Sequence, residues 1–375
     1  MIPAEHESTE ISAGLSLTVD LAAVAENYRI ICQHLAKGAT SAAVVKADSY
    51  GLGMEECSRT FHQAGCRFFF VTSLDEALAF RKTQKDWPVA TLHGLGGLRN
   101  IHDISAYYQN NIIPCLNSLE EVRLWHAAAK QTGQRLPALL HVDTGMSRLG
   151  LPPEEFSQFK EHRGDFSGIA FLYVISHLAC ADEPDNPVTE DQYKKFCAIK
   201  EALPDIPGCL ANSAGVFYDP KLHFDMVRPG AALYGLQLSP RQPEMQPCLY
   251  LTAPVLQLRN LNKGDPVGYG STWRVKKNNS LIATIPAGYA QGYLRCLGNK
   301  GRVYVHGKEC PVVGRVSMDL VTIDVTEVAD RIKCGDRVEI LGKNRRADAV
   351  AAEAGTIGYE ILTSLGKIRP RLYLR

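Results

Sequence analysis

Lys46 follows a short apolar run, residues 42–45, and precedes a polar, glycine-rich turn, Ala47-Asp48-Ser49-Tyr50-Gly51-Leu52-Gly53. A helical pattern opens at Met54. This reads as a βα unit with a lysine at the carboxyl end of its strand. A lysine at the mouth of a parallel sheet is readily desolvated. Its ammonium pKa then falls, and the neutral amine becomes a nucleophile able to form a Schiff base with a carbonyl. Taken alone, the same residue is equally a surface lysine that ends a strand. Other polar residues stand just after apolar runs: Arg148, His177, Asn212 with Ser213, and Arg228. Two of these loops, Asn212-Ser213-Ala214-Gly215 and Arg228-Pro229-Gly230-Ala231, carry small residues that let backbone N–H groups approach an anion.

The elements that would position these residues alternate along the chain. After Asp20, Leu21, Val24, Tyr28 and Ile31 recur at helical spacing. Strand-like runs follow the lysine strand at 67–72, 89–93, 112–116, 138–142, 168–175, 209–211 and 224–227. Ser73 with Glu76, and Ser118 with Glu121, have capping-box spacing and open helices after the second and fourth strands. Eight βα units in succession point to an α/β fold, a (β/α)₈ TIM barrel, whose sites are built from the loops after its strands. An open doubly wound sheet is the alternative that periodicity leaves standing. Near Pro247 the pattern changes to alternating apolar residues punctuated by Gly, Asn, Asp and Lys, with one helical candidate at 348–353. The expected organisation is a barrel over residues 1–246, with an N-terminal extension, and a mostly β domain over 247–375.

Composition narrows the function classes. Acidic and basic residues nearly cancel, with a formal net charge of +1, so no broad basic face for nucleic acid or anionic membrane is implied. No apolar run is long enough to span a bilayer, and residues 1–14 lack the segments of a signal peptide. The eleven cysteines include no C-x-x-C pair and read as reduced thiols, not zinc ligands or disulfides. The cytoplasm is the expected compartment, and no metal is expected.

Seven stretches, in this order, resemble the alanine racemases, pyridoxal-phosphate enzymes built from a barrel and a β domain: AVVKADSYGLG at Lys46, VDTGMSRLG at Arg148, ANSAG at Ser213, VRPGAALYGL at Arg228, VGYGSTW at Tyr269, GRVSMD at Met318 and GTIGYEILTSLG at Tyr359. The resemblance covers essentially the whole chain. It implies interconversion of L- and D-alanine, supplying D-alanine for peptidoglycan, with pyridoxal 5'-phosphate bound covalently to Lys46. It implies a second base, Tyr269, contributed by the other subunit of a homodimer with shared active sites. Arg228 would face the pyridine nitrogen, and His177 would pack near the ring, linked to that arginine. Tyr50, Ser213, Gly230, Ala231 and Tyr359 match phosphate-binding positions. Arg148 and the backbone of Met318 match contacts to the substrate carboxylate, and Tyr289 matches a tyrosine at the pocket entrance.

Two acid–base groups are what racemisation requires, one on each face of the α-carbon. A free phenol titrates near ~10, so a tyrosine needs a nearby cation to act as a base. By residue type alone, Tyr269 reads as a turn tyrosine, His177 as a structural histidine, Arg148 as a rim cap for a carboxylate and Met318 as core. The resemblance has one departure. Many relatives carry a carbamylated lysine just before the stretch beginning at Val142, where this chain has His141. A bound anion or some other group must then orient Arg148. Four other functions compete: a serine or broad-spectrum racemase, a decarboxylase of basic amino acids, a non-catalytic pyridoxal-phosphate carrier, and a metal-dependent hydrolase using His141, Asp143 and His177. Arg228 disfavours the decarboxylase, which places an acid at the ring nitrogen. The β domain disfavours the carrier.

Overall fold

The computed structural model describes residues 14–375; the polar stretch read as an N-terminal extension lies almost wholly outside them. Eight short parallel strands run through residues 40–227. The first, Thr40–Ser41 continuing as Ala43–Val44, is followed by Phe69–Val71, Val89–Thr91, Ile112–Leu116, Leu136–His141, Ile169–Ile175, Gly208–Cys209 and Met226–Val227. Seven pair in sequence order. The eighth pairs in parallel with the first, Met226 against Thr40 and Val227 against Ser41. Asp225 N donates to Gly208 O at 3.0 Å and Arg228 N to Ala211 O at 2.8 Å, joining the eighth strand to the seventh. The sheet therefore closes into a barrel with no free edge, and the open-sheet alternative falls. Residues of the fourth strand are all buried, as expected where helices cover one face of a closed sheet and packed side chains fill the other.

Most expected strands lie within two residues of the observed ones, and Ile112–Leu116 agrees at both ends. The helix predicted from Leu21, Val24, Tyr28 and Ile31 spans Leu21–Gln33, and those four side chains are buried. Ser73 and Ser118 do cap their helices, each side chain accepting from the glutamate N–H three residues on.

The chain divides into two units: Ala22–Gln246, and Pro247–Arg375 together with the described residues up to Leu21. The difference from the sequence reading lies at the amino end. Ser16–Asp20 is a strand of the second unit, antiparallel to Leu249–Pro254 and parallel to Arg371–Leu374. Its Leu17 and Val19 are fully buried while their neighbours are partly exposed, the period-2 pattern of a half-buried strand. That unit contains a six-stranded sheet, a three-stranded sheet of Gln257–Leu261, Ser280–Ile285 and Val321–Asp324, and a hairpin of Pro266–Val267 with Trp273–Arg274. It also holds two helices where one was expected, Ala347–Ala354 and Gly358–Leu365.

Candidate active site

Lys46 begins a turn of unusual hand. Ala47, Asp48, Ser49 and Tyr50 all have positive φ, between 51° and 55°, in a continuous left-handed run. Each non-glycine residue in this conformation costs about 1–2 kcal/mol, so the surroundings must hold it. Ser49 N donates to Val45 O at 2.9 Å, and Gly51 N to Ala47 O at 2.9 Å. Asp48 Oδ1 accepts from Met54 N at 2.7 Å, and Glu76 Oε1 accepts from Ala47 N at 2.8 Å. The turn brings the Tyr50 ring against Tyr234, with centroids 4.8 Å apart.

Around Lys46 the charges are mostly positive. Burial, then Arg148 and Arg228, push its ammonium pKa down, while Glu76 pulls the other way. Arg228 is only 4% exposed. It donates from Nη2 to Ser176 O, and its Cζ lies 5.7 Å from the centre of the Phe70 ring. Its Nε is buried with no hydrogen-bond partner among the described residues. An acceptor nitrogen carrying no proton, such as a pyridine, would satisfy that donor. His177 is held neutral: burial, then Arg228 and Arg148, drive its pKa well below the ordinary value. The bond from Arg228 goes to the residue before His177, and its coupling to His177 is electrostatic.

The seventh and eighth loops meet the first turn. Ser213 Oγ accepts from Gly230 N at 2.8 Å and Ala232 N at 3.2 Å. A Cβ on Gly230 would lie 2.3 Å from the Tyr50 hydroxyl oxygen, so glycine is needed there. Ala231 follows, opening a short 3₁₀ turn. Two hydroxyls and a run of small-residue backbone converge here, as a phosphate cradle requires. Lys46, Tyr50, His177, Ser213, Arg228, Gly230 and Ala231 thus fit pyridoxal phosphate.

Two positioning residues, Gln192 and Asn117, carried no signal of their own in the sequence. Gln192, from the helix Val188–Ala202, accepts at Oε1 from Ala179 N at 2.8 Å. That fixes its amide, whose Nε2 donates to His177 O at 2.8 Å and to Thr144 Oγ1 at 3.2 Å. Thr144 Oγ1 also shares a hydrogen bond with Ser176 Oγ, 2.8 Å away, beneath the carbonyl that anchors Arg228. Asn117 fixes His141 in the same manner. Its Nδ2 donates to Leu92 O at 3.2 Å, so its Oδ1 accepts from His141 Nδ1 at 2.6 Å. The imidazole is therefore the Nδ1-protonated tautomer. Burial, then Arg228, lowers its pKa to about 3. Glu121 holds Asn117 N at 2.7 Å and Leu95 N at 3.1 Å.

Arg148 sits on a loop shaped by Asp143, whose carboxylate accepts from Gly145 N, Met146 N and Ser147 N at 2.8, 3.0 and 3.1 Å. The Arg148 side chain is exposed and makes no hydrogen bond among the described residues, leaving its donors for a carboxylate. Among the described residues His141, Asp143 and His177 form no cluster placed to hold a metal ion, which disfavours the metal-hydrolase reading.

In the second unit, Tyr269 is 71% exposed. It opens the turn Tyr269–Ser271 between Gly268 and Gly270, whose φ values are 73° and 71°. Val267, Val275, Ile282 and Val313 pack together, with Trp273 against them, and anchor the hairpin that carries it. A Cβ on Gly270 would lie 3.2 Å from the Arg315 guanidinium. Met318 is 59% exposed, against its residue-type reading as core. Its carbonyl accepts from Ala290 N at 2.9 Å, and Tyr289 N donates to Ser317 O at 3.2 Å, so the Tyr289 and Met318 loops are stitched together. Tyr359 is half-buried in the first turn of Gly358–Leu365.

The depressed pKa of His141 gives a test. The unfolded imidazole takes a proton below about 6.5, while the folded one resists until about 3. Folding stability should therefore fall as pH drops through this window, because the unfolded state binds more protons. His141→Asn keeps an N–H for Asn117 and should lose less stability between neutral and acidic pH. Urea unfolding at a series of pH values measures this, and equal acid sensitivity in both proteins would contradict the neutral assignment.

Residues 19–238 match the family model described as "Alanine racemase, N-terminal domain", and residues 248–373 match "Alanine racemase, C-terminal domain". The chain is 43% identical over 393 aligned positions to the alanine racemase of Brucella abortus strain 2308, covering 100% of this chain and 97% of that protein. It is 42% identical to the alanine racemase of Rickettsia canadensis, covering 96% and 99%. Among solved structures, alanine racemase from Bartonella henselae with covalently bound pyridoxal phosphate superposes with a TM-score of 0.90 at 36% identity, covering 96% of this chain and 100% of that one. The biosynthetic alanine racemase of Pseudomonas aeruginosa gives 0.87 at 32%, covering 96% and 99%. Matched by these two domain models over residues 19–238 and 248–373, the chain belongs to the alanine racemase family.

Proposed function

We propose that this chain interconverts L- and D-alanine with pyridoxal 5'-phosphate held through Lys46. The observation that carries the reading is the pairing of Lys46, a lysine with a depressed pKa, with Arg228, a buried arginine that keeps one donor unpartnered, at the ends of one barrel's strands. Bound and linked to the substrate nitrogen, the cofactor makes the substrate Cα–H acidic. The rest falls to the protein's own groups. Lys46, its ammonium pKa lowered by burial and by the nearby arginines, exchanges a proton with one face of the α-carbon. Tyr269 serves the other face. Arg148 and the backbone of Met318 hold the substrate carboxylate, and Tyr289 stands at the entrance. Tyr50, Ser213, Gly230, Ala231 and Tyr359 hold the phosphate. Arg228 hydrogen-bonds the ring nitrogen without giving up its proton, because a guanidinium stays charged. That limits electron withdrawal and so limits side reactions. His177, neutral and packed beside Arg228, supplies an uncharged wall.

The same reading places the enzyme in the cytoplasm, as a source of D-alanine for peptidoglycan, and makes it a homodimer. No described helix is long and apolar enough to cross a membrane. The exposed Tyr269, Tyr289 and Met318 side chains favour a surface that a second copy covers.

Two experiments test this. Borohydride reduction of the holoenzyme followed by peptide mapping should place the cofactor on Lys46, and a chiral assay should show racemisation of alanine well above serine. Label on another lysine, or faster turnover of serine, would overturn the corresponding assignment. Subunit complementation tests the sharing of the site. Lys46→Ala and Tyr269→Phe should each be nearly inactive. Mixed and exchanged, they should regain at most about half of wild-type activity per heterodimer, since one site holds both bases and the other neither. If exchange is demonstrated and no activity returns, both bases come from one chain.

A further inference from the structure

Five helices of the barrel carry a glutamate at the third position of their first turn, and in three of them, those of Glu76, Glu121 and Glu155, it closes no ordinary capping box. In that motif the carboxylate returns to the N–H of its own cap. Here one or both carboxylate oxygens reach backwards instead. Glu76 accepts from Thr72 N at 2.7 Å and from Ala47 N at 2.8 Å. Glu121 accepts from Asn117 N and from Leu95 N, in the loop after the third strand. Glu155 accepts from Leu119 N at 2.6 Å, at the start of the preceding helix. Each glutamate ties its own helix to the βα unit before it.

For Glu76 the tie ends on the first residue of the left-handed turn, next to Lys46. Ala47, an alanine at φ 51° and ψ 46°, has no intrinsic reason to be there. The helix Leu74–Thr83 that carries Glu76 sets Phe80 against Phe69 of the second strand, which pairs with the first. The geometry points to Glu76 as a positioning residue that clamps the backbone at Ala47 and so fixes where the Lys46 side chain leaves its strand. This inference rests on the reading of Lys46 as the cofactor lysine. Glu76 has a second influence on the same side chain. Burial, Arg148 and Arg228 favour neutral Lys46, and the Glu76 carboxylate opposes them.

The test compares four holoenzymes: wild type, Glu76→Ala, Glu76→Gln and Ser73→Ala. Ser73→Ala weakens the start of the same helix but leaves the Glu76–Ala47 bond in place, so it reports what a merely structural role would do. Hydrogen exchange at the Ala47 amide should speed up about tenfold or more in Glu76→Ala, because a hydrogen bond to a charged acceptor is lost. In Ser73→Ala it should stay within about twofold of wild type, since the cap acts on N–H groups of its own helix. The kcat of Glu76→Ala should fall about tenfold or more with a smaller change in KM, as expected when a reacting group is misplaced. Glu76→Gln can accept only one of the two N–H bonds and should fall between. Should Glu76→Ala fail to fold, Glu76→Gln carries the test. Wild-type exchange at Ala47 and wild-type kcat in Glu76→Gln and Glu76→Ala would overturn the clamp, as would equal loosening in Ser73→Ala. Peptide mapping after borohydride reduction separates the two claims. Label away from Lys46 in wild type sinks the cofactor assignment, whereas the Ala47 exchange rate still reports the clamp.

Discussion

Arg228 is a guanidinium buried at the ends of the barrel strands, hydrogen-bonded to the carbonyl of Ser176, with no carboxylate partner among the described residues. A charge in that position is costly unless something compensates it. Its cost is expressed in its neighbours. Arg228 contributes to lowering the pKa values of Lys46, His177 and His141, so that cations do not accumulate around it. It also lowers the buried thiols of Cys115 and Cys209, which burial itself drives upward. Neutral imidazoles and a lysine amine are what a proton-transfer site needs.

The scaffold under this charge is polar and directional. Gln192, Thr144 and Ser176 are each 1% exposed and form one chain of hydrogen bonds leading to the loop that holds Arg228. Buried networks of this kind rigidify when every member is satisfied. On the opposite side, Glu121, Asn117 and His141 form a second chain, and Glu76 secures the strained turn after Lys46. Strain in that turn persists because several backbone and carboxylate acceptors determine it together. His141, at the position where the family resemblance implies a carbamylated lysine, brings no negative charge in this chain. Its fixed tautomer leaves Nε2 as an acceptor.

Much of this was readable in the sequence because the barrel repeats one pattern. Apolar runs ending in Lys46, His177, Ser213 and Arg228 recur at βα spacing, and the structure brings those residues together. The spacing of Ser73 to Glu76 and of Ser118 to Glu121 was legible, but the partners of the two carboxylates were not, since local spacing cannot show a bond to a loop about 29 residues away. Asn117 and Gln192 are ordinary polar residues within a turn and a helix, and only folding shows which backbone atoms they meet. The strand Ser16–Asp20 was overlooked although Leu17 and Val19 alternate, because its partners lie at the far end of the chain. Met318 shows the limit of residue type: its backbone, held by the loop of Tyr289, leaves an apolar side chain exposed.

Burial and Arg228 together keep the histidines of the site uncharged. Histidine ¹⁵N NMR on labelled protein measures this directly, with His141→Asn and His177→Asn assigning the signals. Both imidazoles should remain neutral from pH 7.5 down to about 5, well below the ordinary histidine value of about 6.5. Replacing Arg228 with methionine should move the His177 titration upward. Titration of His141 or His177 near 6.5 in the wild-type protein would contradict the account.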